Sequence, residues 1–266
     1  MTGTRAPAYP MPSARRSLRL VQRNAMAYRH AWIAILSGFF EPVFYLGAVG
    51  FGVGQFIDSI PYREAEISYA SFLAPGMLAA SVLNGALFDG FFSPFFKLNW
   101  MKTYEGILTT PVNLSDIVVG EIMWAVMRGT IYATGFLSVM IALGLVHSAW
   151  AVLGLPAVML SGAALSSGAM ILTATTKEIS SLEKVMTLVV FPLFLFSGTF
   201  YPVYLYPVWV RAIVQLTPLY HSASLLRGLT TGVVDASLLW HVLYLGSMFV
   251  ICIAVTIRLM RRRFTD

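Results

Sequence analysis

Residues 104–129 read YEGILTTPVNLSDIVVGEIMWAVMRG, and the rest of the chain is organised around this stretch. It opens with a short amphipathic segment at 104–108, in which apolar side chains recur at helical spacing. The sequence then breaks at Thr-Thr-Pro, and residues 113–116 resemble a turn and a helix N-cap before an apolar run. A polar hinge between two apolar segments can contact a soluble partner; an ordinary loop between two membrane spans is the alternative.

The composition is that of a membrane protein. Hydrophobic residues make up 58% of the 266 residues and charged residues 11%, whereas about a quarter of a soluble domain is charged. The mean hydropathy is +0.74. The length allows several spans of roughly 20 residues each but no large additional soluble domain. The single cysteine, Cys252, lies in an apolar run, so neither a disulfide framework nor a cysteine metal site is predicted.

The N-terminal 30 residues divide into two parts. Residues 1–12 are rich in Pro, Ala and Thr and are predicted to be a disordered tail. Residues 13–30 predict a basic amphipathic helix that lies on the anionic cytoplasmic face of a bilayer and contacts membrane lipids. Its apolar face is predicted to carry Leu18, Val21, Ala25 and Tyr28, and its basic face Arg15, Arg16, Arg19 and Arg23.

Six apolar stretches follow and predict an all-α membrane domain over residues 31–260. Within a bilayer, a single stretch can satisfy its own backbone polar groups only as a helix. The predicted transmembrane helices are residues 31–54, 71–93, 119–146, 150–174, 185–201 and 238–258.

Basic residues predict the orientation of these six spans. They cluster at the two chain ends and in the second-to-third and fourth-to-fifth connections, including Lys97 and Lys102, fourteen in all. The other side has three, among them Arg63. This asymmetry places both termini in the cytoplasm, which agrees with an even number of spans. It also accounts for the net charge of +6 without a nucleic-acid partner.

Four ionisable residues fall within or near the ends of the predicted spans: Glu41, Asp89, Glu121 and Arg128. Placing a charged residue at the centre of a span raises the free energy of membrane insertion by about 2.5–3.5 kcal/mol, so each of these residues is expected to have a structural or functional role. A polar substrate or proton route is one reason, and pairing between helices is the other. We favour pairing for Asp89 and Glu121 and leave both readings open for Glu41.

The long connection at 202–237 is too polar to face lipid and too aromatic for a plain loop. Two short helices, near 209–216 and 222–229, are predicted to be re-entrant into the outer leaflet between spans five and six. His221 and Arg227 either contact an anionic or sugar-bearing substrate or pin these helices. The residues proposed for a substrate pathway are Glu41, Tyr201, Tyr204, His221 and Arg227. One histidine without neighbouring ligands predicts no metal site.

Three motifs resemble a known family: FLAPGMLAAS at 72–81, the stretch at 104–125, and FLFSGTFYP with LTPLYHSASLLRGLTTG within 194–232. Over about residues 15–260 the chain resembles the membrane subunit of ATP-binding cassette exporters of the type 2 permease class. Within that class it most resembles the nodulation-protein J group, which exports lipo-chitooligosaccharides, with daunorubicin-resistance permeases as neighbours. The run Tyr-Pro-Val-Tyr at 201–204 departs from the Phe before proline and the acidic residue after valine expected there.

The resemblance implies separate roles for segments of this chain and for a partner ATPase. The 104–116 segment would be the coupling helix that docks on a nucleotide-binding ATPase subunit, and 13–30 the interface helix beside it. Two permease copies, as a homodimer or a related heterodimer, would pair above two ATPases in the bacterial cytoplasmic membrane. ATP and Mg²⁺ would belong to the ATPase, with no cofactor in this chain, which has no phosphate-binding G-x-x-x-x-G-K-[ST] motif. The coupling residues would be Tyr104, Glu105, Thr109, Thr110, Pro111 and Asp116.

The predicted function is export of an amphiphilic molecule, such as a lipooligosaccharide, glycolipid or polysaccharide precursor, by a chain that is not itself an enzyme. Drug efflux by the same class of permease is an alternative. A membrane-embedded lipid-modifying enzyme is a second alternative, but the twelve acidic residues are dispersed and form no catalytic cluster. A proton-driven transporter would more often show internal repeats.

Overall fold

The computed structural model describes residues 12–28, 40, 42–57, 59–62, 65–178 and 180–265, which are mostly helical. In chain order the helices are α1 (Ala14–Tyr28), α2 (Pro42–Phe56), α3 (Tyr69–Asn99), α4 (Thr103–Leu108), α5 (Leu114–Ala142), α6 (Ala149–Thr175), α7 (Ser180–Val185 continued by Met186–Phe196), α8 (Val208–Gln215), α9 (Pro218–Thr231) and α10 (Ala236–Thr265). Two short strands, β1 (Ile60–Tyr62) and β2 (Ala65–Ile67), pair antiparallel between α2 and α3.

Among the described residues, four helices are long and apolar enough to cross a bilayer: α3, α5, α6 and α10. They confirm the apolar helices predicted at 71–93, 119–146, 150–174 and 238–258, although their ends differ by up to seven residues. The predicted fifth span is occupied by the shorter apolar helix α7, and the described part of the first by α2. Six spans therefore remain a prediction. The predicted tail at 1–12 lies almost entirely outside the described residues.

The fold departs from the predicted all-α class at the β hairpin. Ile60 pairs with Ile67 and Tyr62 with Ala65, so the hairpin forms where the chain leaves α2 and returns to α3. Ile60 is buried and joins the main apolar core. Such short strands carry little sequence signal because three residues cannot show an alternating pattern.

Helix α3 forms the centre of the bundle and packs against α5, α6 and α9. It lies close to α6 at Gly90, where a Cβ atom would lie 2.7 Å from the Ser166 carbonyl oxygen. Gly90 belongs to a π-helical turn, Phe88–Phe92, which shifts the hydrogen bonding of the helix backbone. The Thr173 hydroxyl lies 3.1 Å from the Gly90 carbonyl oxygen and donates to it, tying this turn to α6.

Helices α8 and α9 confirm that the 202–237 connection contains two short helices. Helix α9 begins at Pro218, four residues before the predicted start. Thr217 caps it, and proline is well suited to the first helical turn because its missing N–H would have no partner there. It ends at Thr231 and is followed by Gly232, whose φ of 89° favours glycine. Re-entry of these helices into a bilayer remains a prediction.

Candidate functional site

The 104–116 segment forms a short helix and a turn at one end of the bundle. Helix α4 follows Lys102, whose φ of 52° turns the chain sharply away from α3. Glu105 is 55% exposed and forms an ion pair with Lys102 at 2.9 Å. The Thr109 and Thr110 hydroxyls donate to carbonyl groups of α4 at 2.8 and 2.6 Å, which closes the helix end. Together with the exposed Pro111, these residues present a polar surface.

Behind this surface lies a buried polar cluster centred on the Glu121 carboxylate of α5, which is 2% exposed. Lys97 of α3 places its ammonium 2.8 Å from both carboxylate oxygens. Asn24 of α1 donates to Oε2 at 3.0 Å, and the Tyr104 hydroxyl of α4 donates to Oε1 at 3.2 Å. Lys97 also donates to the Asn24 side chain at 3.2 Å. One carboxylate therefore joins four helices.

The Glu121 carboxylate is surrounded by one cation and two neutral hydrogen-bond donors. A buried carboxylate is tolerated when a cation and hydrogen-bond donors surround it. Burial raises the pKa of Tyr104 well above its usual value, and the adjacent Glu121 charge raises it further. The Tyr104 hydroxyl therefore stays protonated and remains a donor at any physiological pH. We call Asn24, Lys97, Tyr104 and Glu121 the Glu121 cluster.

A second set of contacts fixes the turn after α4. Asn113 caps α5, and Asp116 accepts a hydrogen bond from the Asn113 backbone N–H at 2.9 Å, forming a reciprocal capping box. The same carboxylate accepts from the Ser13 backbone N–H at 2.6 Å and pairs with Arg16 at 2.7 Å. Asp116 therefore attaches the start of α1 to the start of α5.

Helix α1 packs along α5 through a face that overlaps only at Val21 with the apolar face predicted to lie on the bilayer. Its buried residues are Ser17, Leu20, Val21 and Asn24, whereas Leu18 and Ala25 of the predicted apolar face are exposed. Two polar side chains lie in the contact because α5 supplies partners for them. The contact is close at Gly120, where a Cβ atom would lie 2.8 Å from Leu20 Cβ. Arg15, Arg19 and Arg23 are exposed, as predicted for the basic face.

The structure separates the six predicted coupling residues into two groups. Glu105, Thr109, Thr110 and Pro111 are exposed and available to a partner. Tyr104 and Asp116 are 1% and 0% exposed. These two side chains hold the segment in place from the inside, so a coupling role for them is indirect and stays a prediction.

The intramembrane charges on α3 and α5 pair with each other, as we favoured from the sequence. Asp89 and Arg128 form an ion pair at 2.7 Å with side chains 1% and 9% exposed. The Arg128 guanidinium also lies over the rings of Phe88 at 4.9 Å and Tyr28 at 5.2 Å. Asp89 and Arg128 thus join α3 to α5 one layer deeper in the bundle than the Glu121 cluster. Glu41 lies outside the described residues.

The four described residues of the proposed substrate pathway, which are Tyr201, Tyr204, His221 and Arg227, lie at the opposite end of the bundle. Tyr201 and Tyr204 are half exposed, but His221 and Arg227 are 3% and 4% exposed. Arg227 donates to the Phe72 carbonyl at 3.0 Å and to that of Gly198 at 2.9 Å. His221 and Arg227 therefore pin α9 to its neighbours, and contact of either residue with a substrate stays a prediction.

The pairing of His221 fixes its tautomer. Nε2 lies 2.9 Å from the Gln215 carbonyl oxygen, which can only accept, so Nε2 carries a proton. Nδ1 of the neutral ring is then an acceptor for His241 Nδ1–H at 2.7 Å. The Tyr244 ring stacks on His221 at 3.8 Å. Burial lowers the pKa of His221 and so favours this neutral form.

Comparison with known protein families matches the ABC-2 type transporter family over residues 17–230. The chain belongs to the ABC-2 type transporter family. It is 33% identical to nodulation protein J of Rhizobium leguminosarum bv. viciae, over 92% of this chain and 94% of that protein. Nodulation protein J of Rhizobium meliloti (strain 1021) is 32% identical over 91% of each chain. That of Bradyrhizobium diazoefficiens is 31% identical over 91% of each.

Membership in the ABC-2 family makes the chain a multi-pass transport subunit, and such subunits normally pair with a nucleotide-binding ATPase subunit.

The Glu121 cluster adds two residues that sequence reasoning missed. Lys97 was predicted to be a loop charge and Asn24 was given no role. Lys97 lies on α3, which extends to Asn99, so its charge faces the helix bundle. The signal that could have revealed the pairing was the lone carboxylate at Glu121, which required a cation.

Proposed function

We propose that this chain is the membrane subunit of an exporter that moves an amphiphilic molecule out across the bacterial cytoplasmic membrane. The transported molecule is a lipooligosaccharide, glycolipid or polysaccharide precursor, and a separate subunit hydrolyses ATP. Similarity to nodulation protein J over nearly the whole chain supports this substrate class. The aromatic and hydroxyl-bearing residues at 200–206 suit a molecule with both sugar and lipid parts.

The observation that carries the coupling role is the Glu121 cluster. The ATPase subunit contacts the exposed residues Glu105, Thr109, Thr110 and Pro111. Movement of α4 is passed to α5 through Tyr104 and Glu121, and to α3 through Lys97. Because α1 is bound to the same carboxylate, the interface helix and the coupling helix move together.

A cleft beside the turn offers a second contact for the ATPase subunit. It has a volume of about 310 Å³ and lies between residues 108–115 and the C-terminal end of α10. Arg261 of α10 donates to the Ser115 hydroxyl at 3.1 Å at its edge, and Phe264 lines it. A side chain from the partner entering this cleft would touch the coupling turn and α10 at once.

The test is affinity purification of the tagged chain in mild detergent, followed by mass spectrometry and an ATPase assay, for wild type and Glu105→Lys. Glu105 is exposed and its reversal breaks only a surface ion pair, so folding should be unaffected. We expect the wild type to recover an ATPase with a phosphate-binding loop and the variant to lose it and its transport activity. Glu66→Lys is the matched control, because Glu66 is exposed in the hairpin at the opposite end.

Normal recovery of the ATPase by Glu105→Lys, with normal transport, would remove this segment from the mechanism. Recovery of the wild-type chain alone in several detergents would contradict the exporter assignment and favour an enzyme or an ion-driven transporter. The proposal also includes two permease copies in each complex. The mass of the purified assembly gives the number of copies directly.

A further inference from the structure

A cavity of about 280 Å³ lies at the end of the bundle opposite the coupling segment. Six parts of the chain line it: the hairpin, the start of α3, residues 202–204, helices α8 and α9, and the start of α10. Its volume is close to the lower limit of about 300 Å³ for ligand pockets. It therefore has room for one small polar group but not for a whole amphiphile. Its polar lining residues include Tyr62, Arg211, Tyr220, Ser224, Arg227 and His241.

Two arginines give this cavity its charge. Arg227 is 4% exposed and uses two of its N–H groups on the carbonyls of Phe72 and Gly198. Its guanidinium has five donors, so three remain. Arg211 uses Nη2 on the Tyr204 carbonyl at 2.7 Å, while its Nε is buried and meets no acceptor within the described part of the chain.

The buried positive charge of Arg227 is only partly compensated. Its Cζ atom lies 3.9 Å from the centre of the Phe72 ring and 6.0 Å from that of Tyr62, which gives two cation–π contacts. Within the ranges that the structure describes, no Asp or Glu forms an ion pair with Arg211 or Arg227. Buried guanidinium groups are normally paired with anions, and arginine's planar donors match the oxygens of phosphate and carboxylate.

We propose that this cavity is a binding site for an oxyanion, a phosphate or a carboxylate group. Arg211 Nε and the free donors of Arg227 bind the anionic oxygens. Tyr220 and Ser224 supply neutral hydroxyl donors, and the aromatic wall contacts the group that carries the anion. The site is separate from the coupling segment, so the proposal stands whether or not the chain exports a substrate.

The oxyanion has two possible sources, a phospholipid headgroup or a free anion, and the experiment distinguishes them. The purified full chain in a neutral detergent is titrated with phosphatidylglycerol, inorganic phosphate or dioleoylglycerol. The last probe has the acyl chains of the lipid without its phosphate. Native mass spectrometry counts bound lipid, and the shift in melting temperature measures stabilisation by each probe.

Arg211→Gln is the decisive variant, because Arg211 is half-buried on a short helix and its loss leaves the bundle contacts of Arg227 intact. Arg227→Gln removes two contacts to backbone carbonyls and can unfold the chain, so it serves only as a second variant. Arg258→Gln is the matched control: it also removes one arginine, from an exposed position near the other end of α10.

We expect phosphatidylglycerol to bind and dioleoylglycerol not to bind, with at least tenfold weaker binding in Arg211→Gln and unchanged binding in Arg258→Gln. Binding of inorganic phosphate with the same dependence on Arg211 identifies a free oxyanion as sufficient. Binding of phosphatidylglycerol alone assigns the site to a lipid headgroup. Equal binding of the lipid with and without its phosphate overturns the proposal. So does an effect of Arg211→Gln no larger than that of Arg258→Gln.

Discussion

Replacing Lys97 by Met should destabilise the chain strongly, because it leaves the Glu121 carboxylate buried without its cation. The side chains of Lys97 and Glu121 are 12% and 2% exposed, so water cannot replace the lost partner. Breaking one side of a buried ion pair costs about 3–5 kcal/mol. For a domain of 150–250 residues each kcal/mol shifts the melting temperature by about 2–4 °C, so we expect a fall on the order of 10 °C.

A double-mutant cycle separates this electrostatic cost from the loss of packing. In Lys97→Met/Glu121→Gln neither charge remains, and the glutamine oxygen can still accept from Tyr104 or Asn24. We therefore expect the double variant to recover about 2 kcal/mol or more relative to Lys97→Met alone. Coupling of that size is typical of residues in direct contact.

The assay is thermal unfolding in one detergent at fixed pH, for wild type, both single variants and the double variant. Lys177→Met is the control, because Lys177 is exposed after α6, and it should change stability by less than about 0.5 kcal/mol. If the two single effects simply add in the double variant, the carboxylate and the ammonium do not interact. The Glu121 carboxylate would then not join α3 to the other three helices.

Three further predictions concern the helix contacts. Gly120→Ala should destabilise the chain by about 1–3 kcal/mol in thermal unfolding, since the added methyl group collides with α1; Gly129→Ala, with open space around it, should be nearly neutral. Arg128→Met should cost about 3–5 kcal/mol by leaving Asp89 unpaired, and Asp89→Asn in the same chain should recover part of this. Burial lowers the pKa of His221, so its contribution to stability is complete above about pH 6.5 and declines on acidification. His221→Gln should flatten the dependence of melting temperature on pH between 8 and 5.5; an unchanged slope would contradict this.

The sequence by itself determined the class of the protein and the positions of its main helices. High hydropathy with few charges requires membrane helices, because only a helix satisfies its own backbone in lipid. The break at 109–111 and the cap at Asn113 located the boundary between α4 and α5 within a few residues. These features are local, so neighbouring residues alone are enough to specify them.

The sequence predicted that charged residues pair between helices, but not which residues pair with each other. A carboxylate within a span needs a partner, which led us to expect pairs for Asp89 and Glu121. Asp89 indeed pairs with Arg128, 39 positions away along the chain. Which cation each carboxylate receives depends on how two helices cross and on their relative rotation, and the periodicity of one helix contains neither quantity.

The tertiary structure alone decided which face of α1 is buried and what supports the coupling segment. Periodicity predicted an apolar stripe through Leu18 for the bilayer and did not indicate that the helix buries Ser17 and Asn24 against α5. Helix α5 supplies the partners of these two side chains, and Gly120 allows the close approach. Asp116 was predicted only as a coupling residue near the N-cap, and the structure shows it buried and paired with the Arg16 guanidinium. In each case a partner about a hundred residues away along the chain outweighs the local pattern.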